Sequence, residues 1–167
     1  RLRVHEFLAM YARLYGVTDV ADQVNRAMAR FGISHLADAM GTELSSGQRT
    51  LIGIAKATMH RPRLLVLDEP TASLDPDIAA RARANLLEVC ETTGAALLVT
   101  SHNMVEVERL CERVIFIAHG RVVADGTPDE VTSQFGRGDL EGVFLHLAGE
   151  VRDVEATAHG DQMERPA

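Results

Sequence analysis

No hydrophobic run in this sequence approaches the roughly 18 residues that a transmembrane helix requires. A charged n-region followed by an apolar segment, as in a secretory signal peptide, is also absent. The sequence therefore predicts no membrane span of its own. If the protein works at a membrane, we expect a partner to supply the membrane span.

The sequence also lacks a basic run, and its formal net charge is -7. A protein that binds nucleic acid usually carries a cluster of Lys and Arg side chains for the phosphates, so we expect no nucleic-acid partner. The seven histidines have no metal-ligand spacing. The two cysteines, Cys90 and Cys111, lie in helical apolar patterns, which predicts buried reduced thiols, as in a cytoplasmic protein.

The apolar residues that are present make up 46% of the 167 residues, enough for one domain with a sizeable core. The chain begins with Arg1 rather than Met and enters directly into an amphipathic pattern. We interpret it as a piece of a longer protein.

Three helical patterns without an intervening strand open the chain. Apolar residues recur at helical spacing from Val4 to Tyr15 and from Val20 to Phe31, and Gly16 and Gly32 mark the ends. A shorter helical segment, Ser34 to Met40, follows. The pattern predicts a small helical subdomain over residues 1–43, most of whose side chains serve packing.

A capping box follows in Leu44-Ser45-Ser46-Gly47-Gln48, because Ser45 precedes Gln48 by three residues. It predicts a helix from here to about His60. The free N–H groups of its first turn, with the Ser hydroxyl, suit a phosphate. A plain helix cap is the alternative interpretation.

The segment Leu64-Leu65-Val66-Leu67 is apolar without alternation, and Asp68, Glu69 and Pro70 follow it. This pattern predicts a strand buried on both faces of a parallel sheet, with two carboxylates at its carboxyl end. An Asp at this place can hold hydrated Mg²⁺ and a neighbouring Glu can orient and deprotonate a water. A core strand that ends in a solvated acidic turn is the alternative.

A second strand is predicted beside the first. Asp75 and Pro76 begin a helix that Gly94 ends, and Ala95 to Thr100 form the next apolar strand. A strand, a helix and a strand in this order form a parallel unit. His102 then follows the carboxyl end of the second strand, at the same sheet edge as the carboxylates, and is a site candidate.

The remaining patterns predict short elements. They comprise a helix from Asn103 to Cys111, a hairpin of Val114–Ala118 with Arg121–Ala124 around His119-Gly120, a helix capped by Thr127 and a helix from Asp139 to Leu147. Residues 151–167 are polar and aperiodic, which predicts a disordered tail.

Four motifs in register resemble the ATP-binding subunit of ABC transporters. Leu44 to Gln48 is similar to the signature motif LSGGQ, with Ser46 where the family usually has Gly. Leu64 to Glu69 resembles the Walker B strand with its catalytic glutamate, Ser73-Leu74-Asp75 resembles the D-loop, and His102 resembles the switch histidine. The resemblance implies an α/β fold of the P-loop NTPase type: a parallel sheet with flanking helices. Residues 44–150 would be the C-terminal part of that ATPase core.

The Gly-rich phosphate loop of this family is missing, since G-x-x-x-x-G-K-[ST] occurs nowhere in the sequence. The resemblance implies that this loop, the aromatic residue that stacks on adenine and the glutamine loop lie upstream. We therefore expect the intact protein to be an ATPase and the 167-residue chain alone to be inactive.

The resemblance also implies an active site divided between two subunits that close head to tail over two ATP molecules. One chain would use Asp68 for Mg²⁺, Glu69 for the attacking water and His102 for the γ-phosphate. The facing chain would contribute Ser45, Ser46, Gly47 and Gln48, and Asp75 would link the subunits. The implied partners are a second ATP-binding subunit, as a homodimer, and membrane-spanning permease subunits. The implied location is the cytoplasmic face of the cell membrane.

The lead helix and residues 139–147 resemble exporter ATPases of the multidrug-resistance type, whose cargoes are drugs, lipids or polysaccharides. Two alternatives remain open at this point. One is a soluble ABC-type ATPase acting on ribosomes or DNA. The other is a non-catalytic fragment that serves only as an interaction module.

Overall fold

The computed structural model describes residues 2–149. The chain divides after Ser101 into two compact units. The predicted boundary between residues 43 and 44 stays a prediction, and the predicted tail, 151–167, lies outside the described residues. None of the helices within 2–149 has the length and apolar character needed to cross a membrane.

The first unit begins with a helical layer. Its elements are α1 (Val4–Leu14), α2 (Val20–Arg30), two 3₁₀ turns (Ser34–Leu36 and Gly41–Glu43) and α3 (Ser46–Thr58). Gly16 and Gly32 adopt φ values of 73° and 68°, so both predicted stops are confirmed. The buried side chains include Leu8, Met28 and Ile54. Burial of these apolar faces on one another stabilises the layer.

The predicted helix from Ser34 to Met40 is wrong beyond its first turn. Only the 3₁₀ turn Ser34–Leu36 is helical. The carbonyl oxygens of Ala37 and Ala39 instead accept hydrogen bonds from the N–H groups of His5 and Val4, both at 3.0 Å. These N–H groups open α1 and have no acceptor within their own helix, so the pairing satisfies them.

A parallel strand pair follows the helical layer. Strand β1 (Leu64–Asp68), helix α4 (Pro76–Thr93) and strand β2 (Ala96–Thr100) follow one another along the chain. The strands pair in parallel, with Leu64 opposite Ala96 and Asp68 opposite Thr100. The predicted parallel βαβ unit is therefore confirmed, and both strands end at the same sheet edge.

Burial of β1 on both faces was predicted, and in the described chain this is wrong. Leu65 is 2% exposed, whereas Leu64 and Val66 on the other face are 54% and 64% exposed. Leu98 on β2 is also exposed. Side chains alternate between the faces of a strand, and within residues 2–149 one face packs on the core while the other remains accessible.

The second unit has its own core. It contains α5 (Met104–Leu110), β3 (Val114–Ala118), β4 (Arg121–Gly126), α6 (Pro128–Phe135) and a helix, α7, over residues 140–149. Val131, Leu140 and Val143 are fully buried in it. The strands β3 and β4 pair antiparallel as predicted, and β4 runs two residues beyond the predicted Ala124.

The two cysteines are less buried than predicted. Cys90 and Cys111 are free thiols of intermediate exposure. Burial raises the pKa of both thiols, because an apolar surrounding disfavours the thiolate.

Candidate functional site

The end of β1 places Asp68 against Thr100. The two residues are opposite each other in the parallel register, and the Thr100 hydroxyl donates a hydrogen bond to Asp68 Oδ1. Asp68 is exposed. The structure thus holds one oxygen of an accessible carboxylate in place at the sheet edge.

Glu69 lies just beyond β1, where the chain turns sharply. Its φ is 47°, in the left-handed region that residues other than glycine rarely adopt. Its N–H donates to the Thr100 carbonyl at 3.0 Å, and Ser101 Oγ lies 3.5 Å from Glu69 Oε2. Backbone strain of this kind persists only where the surrounding structure enforces it, and it is concentrated at functional sites.

The predicted capping box opens α3. Ser45 Oγ accepts from the Gln48 N–H at 3.2 Å, and Gln48 Oε1 accepts from the Ser45 N–H at 2.9 Å. Each side-chain oxygen accepts one of these bonds, and the Ser45 O–H and the Gln48 amide N–H groups remain as donors. The first-turn N–H groups of Ser46 and Gly47 also have no acceptor within the helix. The turn therefore presents donors at the positive end of a helix, which suits an anion.

Ser46 and Gly47 differ in their surroundings. Ser46 is the first residue of α3 and is exposed, so its side chain is accommodated where the motif usually has glycine. A Cβ atom added at Gly47 would lie 2.9 Å from the carbonyl oxygen of Ser73. Glycine is required at position 47 because the segment before α4 approaches it closely.

Asp75 precedes α4 with an extended backbone, as predicted for an N-cap residue, and Pro76 occupies the first turn. The Asp75 side chain, however, makes no capping hydrogen bond. The carboxylate of Asp75 is exposed and is not used by its own helix.

His102 is exposed and follows the last residue of β2 by two positions. It is the first residue of the second unit, whereas the other predicted site residues lie in the first unit. Within the first unit the structure forms two groups. Asp68 and Glu69 contact the end of β2, and the Ser45–Gln48 turn contacts the segment that contains Ser73.

Sequence reasoning missed the residues that support these groups. Thr100 contacts the Asp68 carboxylate, and Ser101 contacts that of Glu69. At the start of α3, Arg49 Nη1 donates to the Leu44 carbonyl at 2.5 Å, and Thr50 Oγ1 lies 2.8 Å from Ser73 Oγ. Three of these four contacts join residues 23 to 32 positions apart, so no local pattern could have indicated them.

The carboxylate oxygens at the end of β1 suit a Mg²⁺ ion whose other ligands are mostly water and phosphate oxygens. No group of three or more His, Cys, Asp and Glu side chains that could hold a metal ion occurs in the part of the chain that the structure describes. A single accessible carboxylate is what Mg²⁺ uses when a nucleotide supplies other ligands. The Asp68 carboxylate meets that requirement.

A separate cavity of about 500 Å³ lies in the first unit. Arg26, Arg30 and Arg61 are among the residues that line it, and none of the predicted site residues does. Arg26 and Arg30 form ion pairs with Asp22 and Glu88. Most of the cationic charge at this cavity is therefore neutralised locally.

Comparison with known proteins finds a family model and several relatives that are similar to this chain. Residues 1–72 match the sequence model of the family described as ABC transporter. The chain is 38% identical over 110 residues to the lipopolysaccharide export system ATP-binding protein LptB of Escherichia coli (strain K12), covering 66% of this chain and 45% of that protein. It is 35% identical over 141 residues to the phosphonates import ATP-binding protein PhnC 1 of Ruegeria sp. (strain TM1040), covering 82% and 53%.

A solved structure titled "Structure of ATP binding subunit of ABC transporter" superimposes on this chain with a TM-score of 0.79 at 27% sequence identity. The match covers 89% of this chain and 63% of that one. The chain spans about half the length of the curated relatives it matches. The predicted α/β fold, a parallel sheet with flanking helices, is confirmed for this part of the domain.

Proposed function

We propose that this chain carries part of an ATP-binding domain of the ABC transporter type, and that the protein hydrolyses ATP to power transport across a membrane. The arrangement at the end of β1 carries this proposal. Asp68 and Glu69 lie at the carboxyl edge of a parallel strand pair, where α/β proteins bind nucleotides. The Thr100 hydroxyl donates a hydrogen bond to the Asp68 carboxylate, and the Thr100 carbonyl accepts one from the backbone N–H of Glu69.

The two carboxylates have separate roles in the proposed reaction. Asp68 would hold Mg²⁺, and the ion, when bound, would neutralise charge on the phosphates. Glu69 would orient the attacking water and accept its proton. Phosphoryl transfer depends mainly on positioning and charge stabilisation, and a carboxylate with a constrained backbone can position a water reproducibly.

The Ser45–Gln48 turn would serve the ATP molecule bound by a second copy. Its donors, from Ser45, Ser46, Gly47 and Gln48, suit the γ-phosphate because the first-turn N–H groups have no acceptor within α3 and lie at its positive end. Asp75, whose carboxylate makes no capping bond, would contact the facing subunit. His102 would donate a hydrogen bond to the γ-phosphate.

The partners in this proposal are a second ATP-binding subunit, in a homodimer, and membrane-spanning permease subunits. The exposed apolar side chains of the α1 region, among them Met10 and Leu14, are consistent with a protein partner. The protein would act at the cytoplasmic face of the cell membrane, attached through the permease.

The direction of transport and the class of cargo are a separate part of the proposal. The lead helix and residues 139–147 favour an exporter, and LptB is named for lipopolysaccharide export. PhnC 1 is named for phosphonate import at a similar level of identity, so the comparisons do not favour the multidrug-resistance type. We propose export of a lipid or polysaccharide cargo, to be tested with inside-out vesicles that contain the co-expressed permease. ATP-dependent accumulation of the cargo in their lumen supports export, and its ATP-dependent loss from preloaded vesicles contradicts it.

The role of Glu69 as general base predicts the effect of Glu69→Gln in the full-length protein. This variant should still bind ATP, but its rate of ATP hydrolysis should fall at least about 100-fold, because the amide cannot accept the proton of the attacking water. Glu91→Gln is the matched control: it makes the same charge change on the exposed surface of α4. Phosphate release and nucleotide binding are the measurements. Near-normal hydrolysis by the Glu69→Gln variant, or a loss as large in Glu91→Gln, would contradict the assignment.

A further inference from the structure

One side-chain hydrogen bond joins the start of α3 to the segment that leads into α4. Thr50 lies on the second turn of α3, and its Oγ1 is 2.8 Å from Ser73 Oγ. Either hydroxyl could be the donor, since each carries one proton and two lone pairs. The two residues are 23 positions apart, so this bond is a tertiary contact rather than a local turn.

The same segment lies directly against the first turn of α3. A Cβ atom placed on Gly47 would be only 2.9 Å from Ser73 O, so there is no space for a side chain. The same position is 3.3 Å from Leu74 Cδ2, and Leu74 also packs on the helical core. Backbone, hydroxyl and apolar contacts therefore hold Ser73 and Leu74 on the Ser45–Gln48 turn.

The other end of this segment is Glu69. The Ala72 N–H donates to the Glu69 carbonyl at 3.3 Å and the Leu74 N–H donates to the Thr71 carbonyl at 3.0 Å. Thr71 is buried. These bonds make residues 69–74 a compact turn, so a displacement at Ser73 is transmitted to Glu69 over only four residues.

We propose that Thr50 is a positioning residue: its bond to Ser73 holds the 69–74 turn, and with it Glu69, in register with the Ser45–Gln48 turn of the same chain. This inference rests on the proposed function, in which these two groups serve different ATP molecules. The bond then links the donor turn of one ATP site to the base of the other. Thr50 acts through Ser73 and does not touch the reacting atoms.

The first test compares four variants of the full-length protein by their ATPase kinetics. Thr50→Val removes the hydroxyl at constant shape, Thr50→Ser keeps it, and Ser73→Ala removes the partner. We expect Thr50→Val and Ser73→Ala each to lower kcat about three- to tenfold with little change in KM, the effect of losing one hydrogen bond. Thr50→Ser should retain the wild-type kcat, and the Thr50→Val/Ser73→Ala double variant should be no worse than the poorer single variant.

The second test does not depend on activity. Hydrogen exchange of the Ala72 and Leu74 amides should be at least about threefold faster in Thr50→Val than in wild type, while amides in α2 keep their protection. If wild type shows no ATPase activity but these amides respond, the proposed function fails and the positioning role stands. Unchanged exchange and kcat in Thr50→Val, additive losses in the double variant, or an equal loss in Thr50→Ser would overturn the inference.

Discussion

Two glycines of helix α3 have opposite surroundings although they lie only six positions apart. Gly47 faces the Ser73 carbonyl, whereas no heavy atom lies within 4 Å of a Cβ built at Gly53. Neither residue has a positive φ. The difference between them is therefore steric, and it shows how closely the donor turn and the segment before α4 fit together.

The two glycines predict opposite effects on stability. Gly53→Ala should raise the free energy of unfolding by about 0.5–1 kcal/mol, because alanine favours a helix over glycine. Gly47→Ala gains the same helix propensity but should lose about 1–3 kcal/mol through the overlap with Ser73 O, so its net effect is destabilising.

Thermal and denaturant unfolding of both variants measure this difference, with each serving as the other's control. A Gly47→Ala variant as stable as Gly53→Ala would contradict the close approach of Ser73. ATP hydrolysis by the Gly47→Ala variant should also fall, since the overlap displaces the 69–74 turn that contains Glu69.

Among the elements, the β3–β4 hairpin carries a specific ion pair. Arg113 Nε and Nη2 donate to the two carboxylate oxygens of Asp125 at 2.8 and 2.9 Å. The hydrogen bond from Arg113, with its positive charge, holds the pKa of Asp125 below its ordinary value of 3.8. Because the pKa is lowered in the folded state, this pair contributes stability above pH 3.8 and loses it as the pH falls through the lower folded value.

Replacement of Arg113 tests this ion pair. In Arg113→Gln the pKa of Asp125 should rise toward 3.8, because both the charge and the bidentate geometry are lost. An NMR titration of the Asp125 carboxyl carbon gives the pKa directly. The pKa of Glu130 should shift less, because it is lowered mainly by hydrogen bonds from Thr127 and only secondarily by the charge of Arg113. An unchanged Asp125 pKa would contradict the assigned cause.

Local sequence signals predicted most elements correctly, because the structure forms the caps and turns that those signals indicate. Capping boxes at Ser45 and Thr127 begin α3 and α6, and His119-Gly120 forms the hairpin turn with positive φ at both residues. The segment Ser34 to Met40 could not be predicted, because its carbonyls pair with the distant start of α1.

The candidate site was predictable only in part. Motif spacing indicated Asp68, Glu69 and the Ser45–Gln48 turn as candidates, and strand pairing shows that Asp68 lies beside the end of β2. The contacts of Thr100 and Thr50, and the left-handed backbone of Glu69, depend on tertiary packing. Hydroxyl groups form such bonds in almost any environment, so their sequence position alone does not indicate a role.

In the molecule as a whole, we assign two halves of an active site to one chain. One half is the pair Asp68 and Glu69 at the sheet edge, and the other is the donor turn at the start of α3. The proposal places them in different ATP sites of a symmetric dimer. A symmetric head-to-tail arrangement makes each site depend on both copies.

Mixed dimers distinguish a site divided between two copies from a site contained in one. Glu69→Gln removes the base, and Ser45→Arg blocks the donor turn. Under the proposal, each substitution inactivates both sites of its own homodimer. A dimer of one Glu69→Gln chain and one Ser45→Arg chain keeps one intact site, formed by the Glu69 of the second chain and the Ser45 turn of the first. The full-length variants carry different affinity tags, are co-expressed with the permease and are purified through both tags.

The measurement is the ATPase rate of these doubly tagged dimers. We expect roughly half of the wild-type rate, from one intact site of two, while either variant alone stays inactive. A dimer that joins wild type to a chain with both substitutions is the control, because each of its sites has lost one component. If each site lay within one copy, the result would be reversed: an inactive mixed dimer together with an active control would contradict a site divided between two copies.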